Sequence, residues 1–157
     1  MRVCLDDDLP VFEAKGVGYG IIICHDSSFP EVASTLAWKG ARIIFSPHYN
    51  YLPVDRMDEH RLAVRNNHIG IAVHFGVVVV RSNVIVTQNP DDRLGYGDSA
   101  IFSPIGTPLA EAGLFTECLV TADVAPWLKQ AKWRKRDQLR VSIVDQWAKA
   151  ARTALEG

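Results

Sequence analysis

The stretch 17-VGYGIIICHDSSFPEVASTLAWKGARIIFSP-47 decides the fold. It holds two apolar runs, 17-VGYGIIIC-24 and 41-ARIIFS-46, on either side of a segment of helical character. The continuous apolar end of the first run fits a strand buried on both faces. Pro30 and Glu31 suit a first helical turn, where a missing N–H costs nothing and a carboxylate meets the positive end of the helix dipole. The pattern predicts a helix to Lys39 with Gly40 as its stop, then a second buried strand closed by Pro47. Strand, helix and strand at this spacing form a βαβ unit with parallel strands. The fold class is therefore α/β, a sheet with covering helices.

Working outward, the acidic, proline-containing start 6-DDDLP-10 reads as loop. Downstream, a second helix is expected from Asp55 as N-cap to about Phe75, with Leu62, Ile69 and Val73 on one face and Gly76 at its end. The run 77-VVVVRSN-83 is a strand, because β-branched residues fit a pleated surface. Residues 84 to 97 read as a long loop. Residues 98 to 113 read as a hairpin turning near Ile105 and Gly106, and 116-TECLVTADV-124 reads as a further strand that shields Cys118. Pro126 opens a final helix, basic at Lys129, Lys132, Arg134, Lys135 and Arg136, then amphipathic through Leu139, Ile143, Trp147 and Ala151. We expect one domain over residues 1–157, with 126–157 as a C-terminal helical extension.

Composition narrows the function classes. The 157 residues suffice for one core, about 70% of the chain's surface being buried on folding at this size. With 48% hydrophobic and 22% charged residues and a formal net charge of -1, neither nucleic acid nor an anionic membrane is the expected partner. No apolar run approaches the roughly 20 residues of a membrane span. Three cysteines (Cys4, Cys24, Cys118) without CxxC spacing, and no apolar leader in MRVCLDDDLP, fit a reducing cytoplasm. The basic helix reads as a solvated face, since the chain as a whole is not basic.

In an α/β sheet, ligands gather at the carboxyl ends of parallel strands, and Cys24 sits where a strand stops before a helix. Thiolate is favoured near a helix N-terminus, and the N–H groups of His25 and Asp26, freed from sheet pairing, suit an oxyanion. Two readings stand side by side: Cys24 as nucleophile, or Cys24 as a small buried hydrophobe. His48, Tyr49 and Asn50 follow a strand end on the same edge, as pocket lining or as a surface turn. A Cys-His dyad with His25 or His48 as base is a further alternative, disfavoured for His25 because neighbouring strand side chains point to opposite faces. Nothing among Cys24, His25, His48 and His74 has CxxC or HxxxH spacing, so no metal and no cofactor is expected.

These motifs together resemble the nitrilase superfamily of carbon-nitrogen hydrolases. The resemblance rests on 21-IIICHDSSFPE-31 and 39-KGARIIFSP-47, which match an apolar strand, Cys-x-Asp, Phe-Pro-Glu, Lys-Gly-Ala and a strand ending near Pro. It continues through 77-VVVVRSN-83, 97-GDS-99, 104-PIG-106, 109-LAEAG-113 and 116-TECLVTADV-124, so about residues 11 to 125 are covered. His74-Phe75 departs from the Glu-Asn of many members.

The resemblance implies the C-terminal half of a nitrilase-like α-β-β-α sandwich. It also implies hydrolysis of an amide or carbamoyl C–N bond, a small-molecule amide as partner, and a homo-oligomer. Residue by residue, Cys24 matches the nucleophile and the His25 N–H the oxyanion donor. Asn83 and Ser99 match positions near the substrate. Glu31 matches the motif glutamate, with a place at the helix N-terminus as the other reading. The family's general-base Glu and its Lys lie upstream of this motif. Glu13 and Lys15 match neither, and Met1 then reads as an internal methionine. Cys-His-Asp in place of the Cys-Trp-Glu usual in true nitrilases favours an amidase. A catalytically incomplete accessory subunit is the non-enzyme alternative.

Overall fold

The computed structural model describes residues 9–87, 91–128 and 137–156. Cys4, the basic run at 129–136 and the side chains of Leu139 and Ile143 lie outside the described residues. The strands are β1 (Phe12–Ala14), β2 (Val17–Ile21), β3 (Ile43–His48), β4 (Tyr51–Pro53), β5 (Val78–Asn83), β6 (Ile85–Val86), β7 (Arg93–Tyr96), β8 (Ala100–Phe102) and β9 (Pro108–Glu111). The helices are α1 (Pro30–Trp38), α2 (Met57–Phe75), α3 (Ala125–Leu128) and α4 (Asp137–Glu156).

The main sheet has the order β1-β2-β3-β5-β8-β9. Its centre is the expected parallel set: β2 pairs with β3 and β3 with β5, Ile21 lying beside Phe45 and Phe45 beside Val80. The expected hairpin is β8–β9, antiparallel, turning at Gly106 with φ 84°. Pro30 stands at the start of α1, and Gly76 ends α2 with φ 63° and its N–H on Ala72 O. Only a residue without a Cβ adopts that left-handed cap at no steric cost.

Several expectations are corrected. β3 runs through Pro47 rather than stopping there. The Ile22 N–H bonds to Phe45 O, so odd residues of β3 face β2. β2 ends at Ile21, and the missing N–H of Pro47 therefore costs no ladder bond. Asp55 is not an N-cap; it lies in a 3₁₀ turn over Val54–Arg56, and α2 follows. The stretch 84–97 is not all loop, because β6 and β7 join β4 in a second, three-stranded sheet. Residues 116–124 form no strand, leaving Leu119 and Cys118 exposed. A β-prone run becomes a strand only where a partner edge exists in register.

α1 and α2 cover one sheet face. There Ile22, Ile44, Val79, Ala100 and Phe102 meet Ala33, Leu36, Ile71 and Ala72 in the core. The buried face of α2 is thus His68, Ile71 and Ala72, not the Leu62–Val73 stripe, whose end members are exposed. Ile69 and Val73 instead buttress the β8–β9 turn: a Cβ on Gly106 would lie 2.9 Å from Val73 Cγ2 and 3.1 Å from Ile69 Cγ2. Among the described residues the opposite sheet face is apolar and uncovered. Phe12, Ile21 and Phe45 keep 43%, 44% and 38% of their exposure there. Tyr19 joins Phe12 in a stacked contact and Phe45 in an edge contact, at 5.5 and 5.6 Å. Among the described residues no helix is long and apolar enough to cross a membrane.

Candidate active site

β2, β3 and β5 run parallel, so their carboxyl ends share one edge, and the residues that follow them build the candidate site. After β2 the chain makes a 3₁₀ turn over Cys24–Ser28. Cys24 opens it with φ 50°, a left-handed backbone that non-glycine residues adopt at a cost. The surrounding turn holds that conformation. The Ile23 N–H donates to Asp26 Oδ2 at 2.7 Å, the Asp26 N–H to Ile23 O at 3.1 Å, and the Ser27 hydroxyl to Cys24 O at 2.8 Å. The thiol is partly buried.

This corrects one expectation about the oxyanion donors. The Asp26 N–H is taken by Ile23 O, whereas the His25 N–H, second in the turn, has no acceptor within it. The His25 ring is exposed and sits edge-on to Phe29 at 5.2 Å. Glu31 is exposed in the first turn of α1, and its carbonyl receives the Ser34 and Thr35 hydroxyls.

The remaining candidates lie at the ends of β3 and β5. Tyr49 is exposed, while Asn50 is buried. Asn83 ties three segments together: its Oδ1 accepts from the Asn50 N–H at 2.9 Å and its Nδ2 donates to Gly97 O at 2.9 Å. The Ser99 hydroxyl accepts from the Asn83 N–H at 3.0 Å. Asn83 and Ser99 thus brace the edge against the β7–β8 connection.

His48 is buried, not at the surface. Its Nε2 lies 2.9 Å from Ser46 Oγ and 3.1 Å from His68 Nε2, and His68 Nε2 lies 2.9 Å from the same hydroxyl. His68 Nδ1 bonds Val64 O at 2.7 Å, which makes Nδ1 its protonated nitrogen. Desolvation, then the neighbouring His68, Arg81 and His60, lowers the His48 pKa to about 3. Desolvation lowers His68 to about 4, the bond to Val64 O opposing and Arg81 adding. Both imidazoles are therefore neutral at pH 7. A buried neutral His48 bonded to Ser46 and His68 is not paired with Cys24.

Beside this pair lies a charge network that the sequence reading did not single out. Arg81 donates to Gly97 O at 3.1 Å, to Asp98 O, to Tyr96 Oη at 3.2 Å and to Asn50 Oδ1 at 3.4 Å. Asp98 faces Arg61 at 3.4 Å, Arg65 at 3.5 Å and Arg81 at 3.8 Å, and Arg65 also pairs with Glu111. Desolvation raises the Tyr96 pKa, with Arg81 opposing. One signal was available in the sequence, an arginine inside the apolar run 77-VVVVRSN-83, because a charge in a buried strand demands partners. Among the described residues no group of three or more His, Cys, Asp or Glu side chains is placed to hold a metal ion.

The cysteine turn at a strand end, its Phe-Pro-Glu helix start and the parallel sheet agree with a family model for carbon-nitrogen hydrolases, which matches residues 4–132. The chain belongs to the carbon-nitrogen hydrolase family. Among curated relatives of this chain, N-carbamoylputrescine amidase of Arabidopsis thaliana is 34% identical over 127 residues, 74% of this chain and 42% of that protein. Formamidase of Bradyrhizobium sp. is 31% identical over 124 residues, 77% of this chain and 34% of that protein. Among solved structures, Nit3 of Saccharomyces cerevisiae, a member of branch 10 of the nitrilase superfamily, superposes with a TM-score of 0.67 at 23% identity. That match covers 81% of this chain and 45% of Nit3. A carbon-nitrogen hydrolase of Helicobacter pylori G27 gives 0.62 at 20% identity, covering 80% and 50%. The fold is the nitrilase fold, and the chain spans between a third and a half of the lengths of these relatives.

Proposed function

We propose that this chain carries the nucleophile of an enzyme that hydrolyses a non-peptide amide or carbamoyl C–N bond through a thioester on Cys24. The observation that carries the reading is the Cys24 turn: a partly buried thiol on a left-handed backbone, braced by Asp26 and Ser27, with the His25 N–H facing no acceptor in the turn. Relatives named amidase and formamidase support the substrate class. The structure of a mutant of the amidase from Nesterenkonia sp. AN1, which shares this fold, shows the result of Michael addition of acrylamide at the active site cysteine.

The thiolate attacks the carbonyl carbon, a C–S bond forms, and the charge moving to oxygen meets the His25 N–H. The tetrahedral intermediate collapses, the C–N bond breaks, and the nitrogen leaves with a proton as ammonia or amine. Water then adds to the thioester carbon, the C–S bond breaks, the acyl group leaves as its carboxylic or carbamic acid, and a proton from the water restores the thiol. His48, Tyr49, Asn83 and Ser99 flank the substrate at the strand ends, the last two by holding the edge in shape. No metal or cofactor takes part in this scheme. We place the working protein in the cytoplasm, in an assembly in which other residues supply the base and the ammonium that the resemblance assigns upstream of Cys24.

General acid-base help is typically worth about 10² to 10⁴ in rate, and a catalytic set that loses members loses most of its effect. The isolated 157-residue chain is therefore expected to release p-nitrophenol slowly from an activated acetate ester. The Cys24→Ala variant is expected to lose that release, and neither protein should release ammonia from simple amides. Ester cleavage that survives Cys24→Ala would refute the nucleophile. Robust Cys24-dependent ammonia release would instead place the base within this chain.

A further inference from the structure

The cysteine turn makes no use of the buried imidazoles. Ser46 and His48 stand on the helix-facing side of β3, and His68 reaches them from the middle of α2, completely buried. Their three polar atoms form a triangle with edges of 2.9, 2.9 and 3.1 Å. Its proton arrangement follows from one outside contact. Since His68 Nδ1–H donates to Val64 O, neutral His68 Nε2 accepts only. The protons inside the triangle then come from the Ser46 hydroxyl and from His48 Nε2–H. His48 Nδ1 is buried, has no hydrogen-bond partner among the described residues, and carries the lone pair.

We propose that Ser46, His48 and His68 form a pH-sensitive latch that clamps α2 onto β3 while both imidazoles are neutral and releases α2 in acid. One added proton breaks the arrangement. It turns His68 Nε2 from acceptor to donor, which forces His48 to carry its own proton on Nδ1, where the described residues offer no acceptor. The charged and titratable neighbours are His60 on α2 and Arg81 on β5, and Arg61 and Arg65, also on α2, pair with Asp98. Tyr96 on β7 bonds Arg81 and lies 3.2 Å from His60 Nδ1. Asp98 already faces three arginines, and Glu111 on β9 pairs with Arg65. On the cysteine turn, Asp26 is tied to the Ile23 N–H and the His25 ring is exposed, and on α1 Glu31 is exposed. A protonated pair thus adds a buried cation to a layer already rich in them.

The direction with pH is fixed. Both imidazoles hold their folded-state pKa below the ordinary 6.5, so the unfolded or released chain binds the extra protons. The clamp is complete above about pH 6.5 and weakens as pH falls toward 4. With two protons taken up, its equilibrium constant falls about 100-fold per pH unit within that window. α2 also packs against the turn that carries Cys24. If Cys24 is the nucleophile, the latch therefore couples acidity to the site, and only this consequence rests on the proposed function.

Two measurements on the whole chain test the latch. Urea unfolding between pH 7 and pH 4.5 is expected to show that the pH slope of stability in wild type exceeds that in the His48→Gln, His68→Leu double variant by about two protons. Hydrogen exchange on wild type is expected to show residues 64–72 losing protection on acidification before the β3–β5 ladder does. Histidine NMR in the same samples should find His68 in the Nδ1–H form at neutral pH. Equal slopes in the two proteins would overturn the latch. If the double variant does not fold, wild-type protection of α2 that holds unchanged to pH 4 overturns it, as does either imidazole titrating near 6.5 with α2 in place. None of these readouts requires catalysis, so the latch and the hydrolase reading fail separately.

Discussion

Cys24 and Cys118 separate what residue type says from what position says. From the sequence, Cys118 belongs to a strand and is shielded, so simple accessibility would single out Cys24. In the structure Cys118 is exposed and Cys24 partly buried, and accessibility now favours Cys118 rather than the proposed nucleophile. What distinguishes Cys24 is its turn: φ 50°, the Asp26 and Ser27 bonds around it, and a His25 N–H with no acceptor within the turn. Alkylation does not use an oxyanion donor, whereas acyl transfer does. Iodoacetamide is therefore expected to label both cysteines, and limiting p-nitrophenyl acetate is expected to acylate Cys24 by at least about tenfold over Cys118, since one such donor is worth on the order of 10² or more. Peptide mapping reads both. Equal acylation of the two thiols would leave the turn without catalytic meaning.

At the scale of the elements, the sequence was legible wherever local pattern and tertiary partner agree. The βαβ unit, the strand at Val78–Asn83 and the β8–β9 hairpin follow from period and punctuation, and all three also find partners in the sheet. It misled at α2, where Leu62 and Val73 carried the visible stripe while the buried face included His68, a residue that no hydrophobic period counts. It misled again at 116–124, where propensity had no edge to pair with, and at Pro47, where the cost of proline depended on β2 having ended. The candidate site was legible at Cys24 and His25, which lie in one contiguous motif. The Ser46–His48–His68 triangle and the arginines around Asp98 join residues far apart in the chain, and only the fold brings them together. Two substitutions test elements that the packing fixes. At Gly18 a Cβ would lie 2.6 Å from Gly40 O, so Gly18→Ala pushes β2 off the α1–β3 connection. Overpacking against backbone costs about 1–3 kcal/mol. Asn83→Ala removes the bonds to the Asn50 N–H and Gly97 O; Gly97 O keeps Arg81, so the Asn50 N–H is the group left unpaired, and an unsatisfied buried group costs about 1–3 kcal/mol. Urea unfolding measures both, and a loss below about 0.5 kcal/mol in either would contradict the packing described.

For the molecule as a whole, the decisive feature is asymmetry: helices cover one sheet face, and the other presents Phe12, Tyr19, Ile21 and Phe45 without a charged neighbour in the pairing register. Burying apolar surface is worth about 25 cal/mol per Å², and contiguous apolar patches on soluble proteins normally mark an interface. Two sheets that pack face to face lie about 10 Å apart with interleaved side chains, a geometry this row of aromatic and aliphatic residues suits. We therefore predict that the isolated chain self-associates at micromolar concentration through this face. Phe45 is the residue to change, because it sits on the central strand β3, keeps 38% of its exposure and touches Tyr19 only edge-on. Phe45→Glu puts a charge at the middle of the patch while leaving the helix-side core untouched. Light scattering across that range should find oligomers for wild type and a shift toward monomer for Phe45→Glu. The far-ultraviolet circular dichroism of the two should agree, which separates a lost interface from a lost fold. A wild-type chain that stays monomeric throughout would show that the open face is tolerated in water, and the homo-oligomer would have to be abandoned.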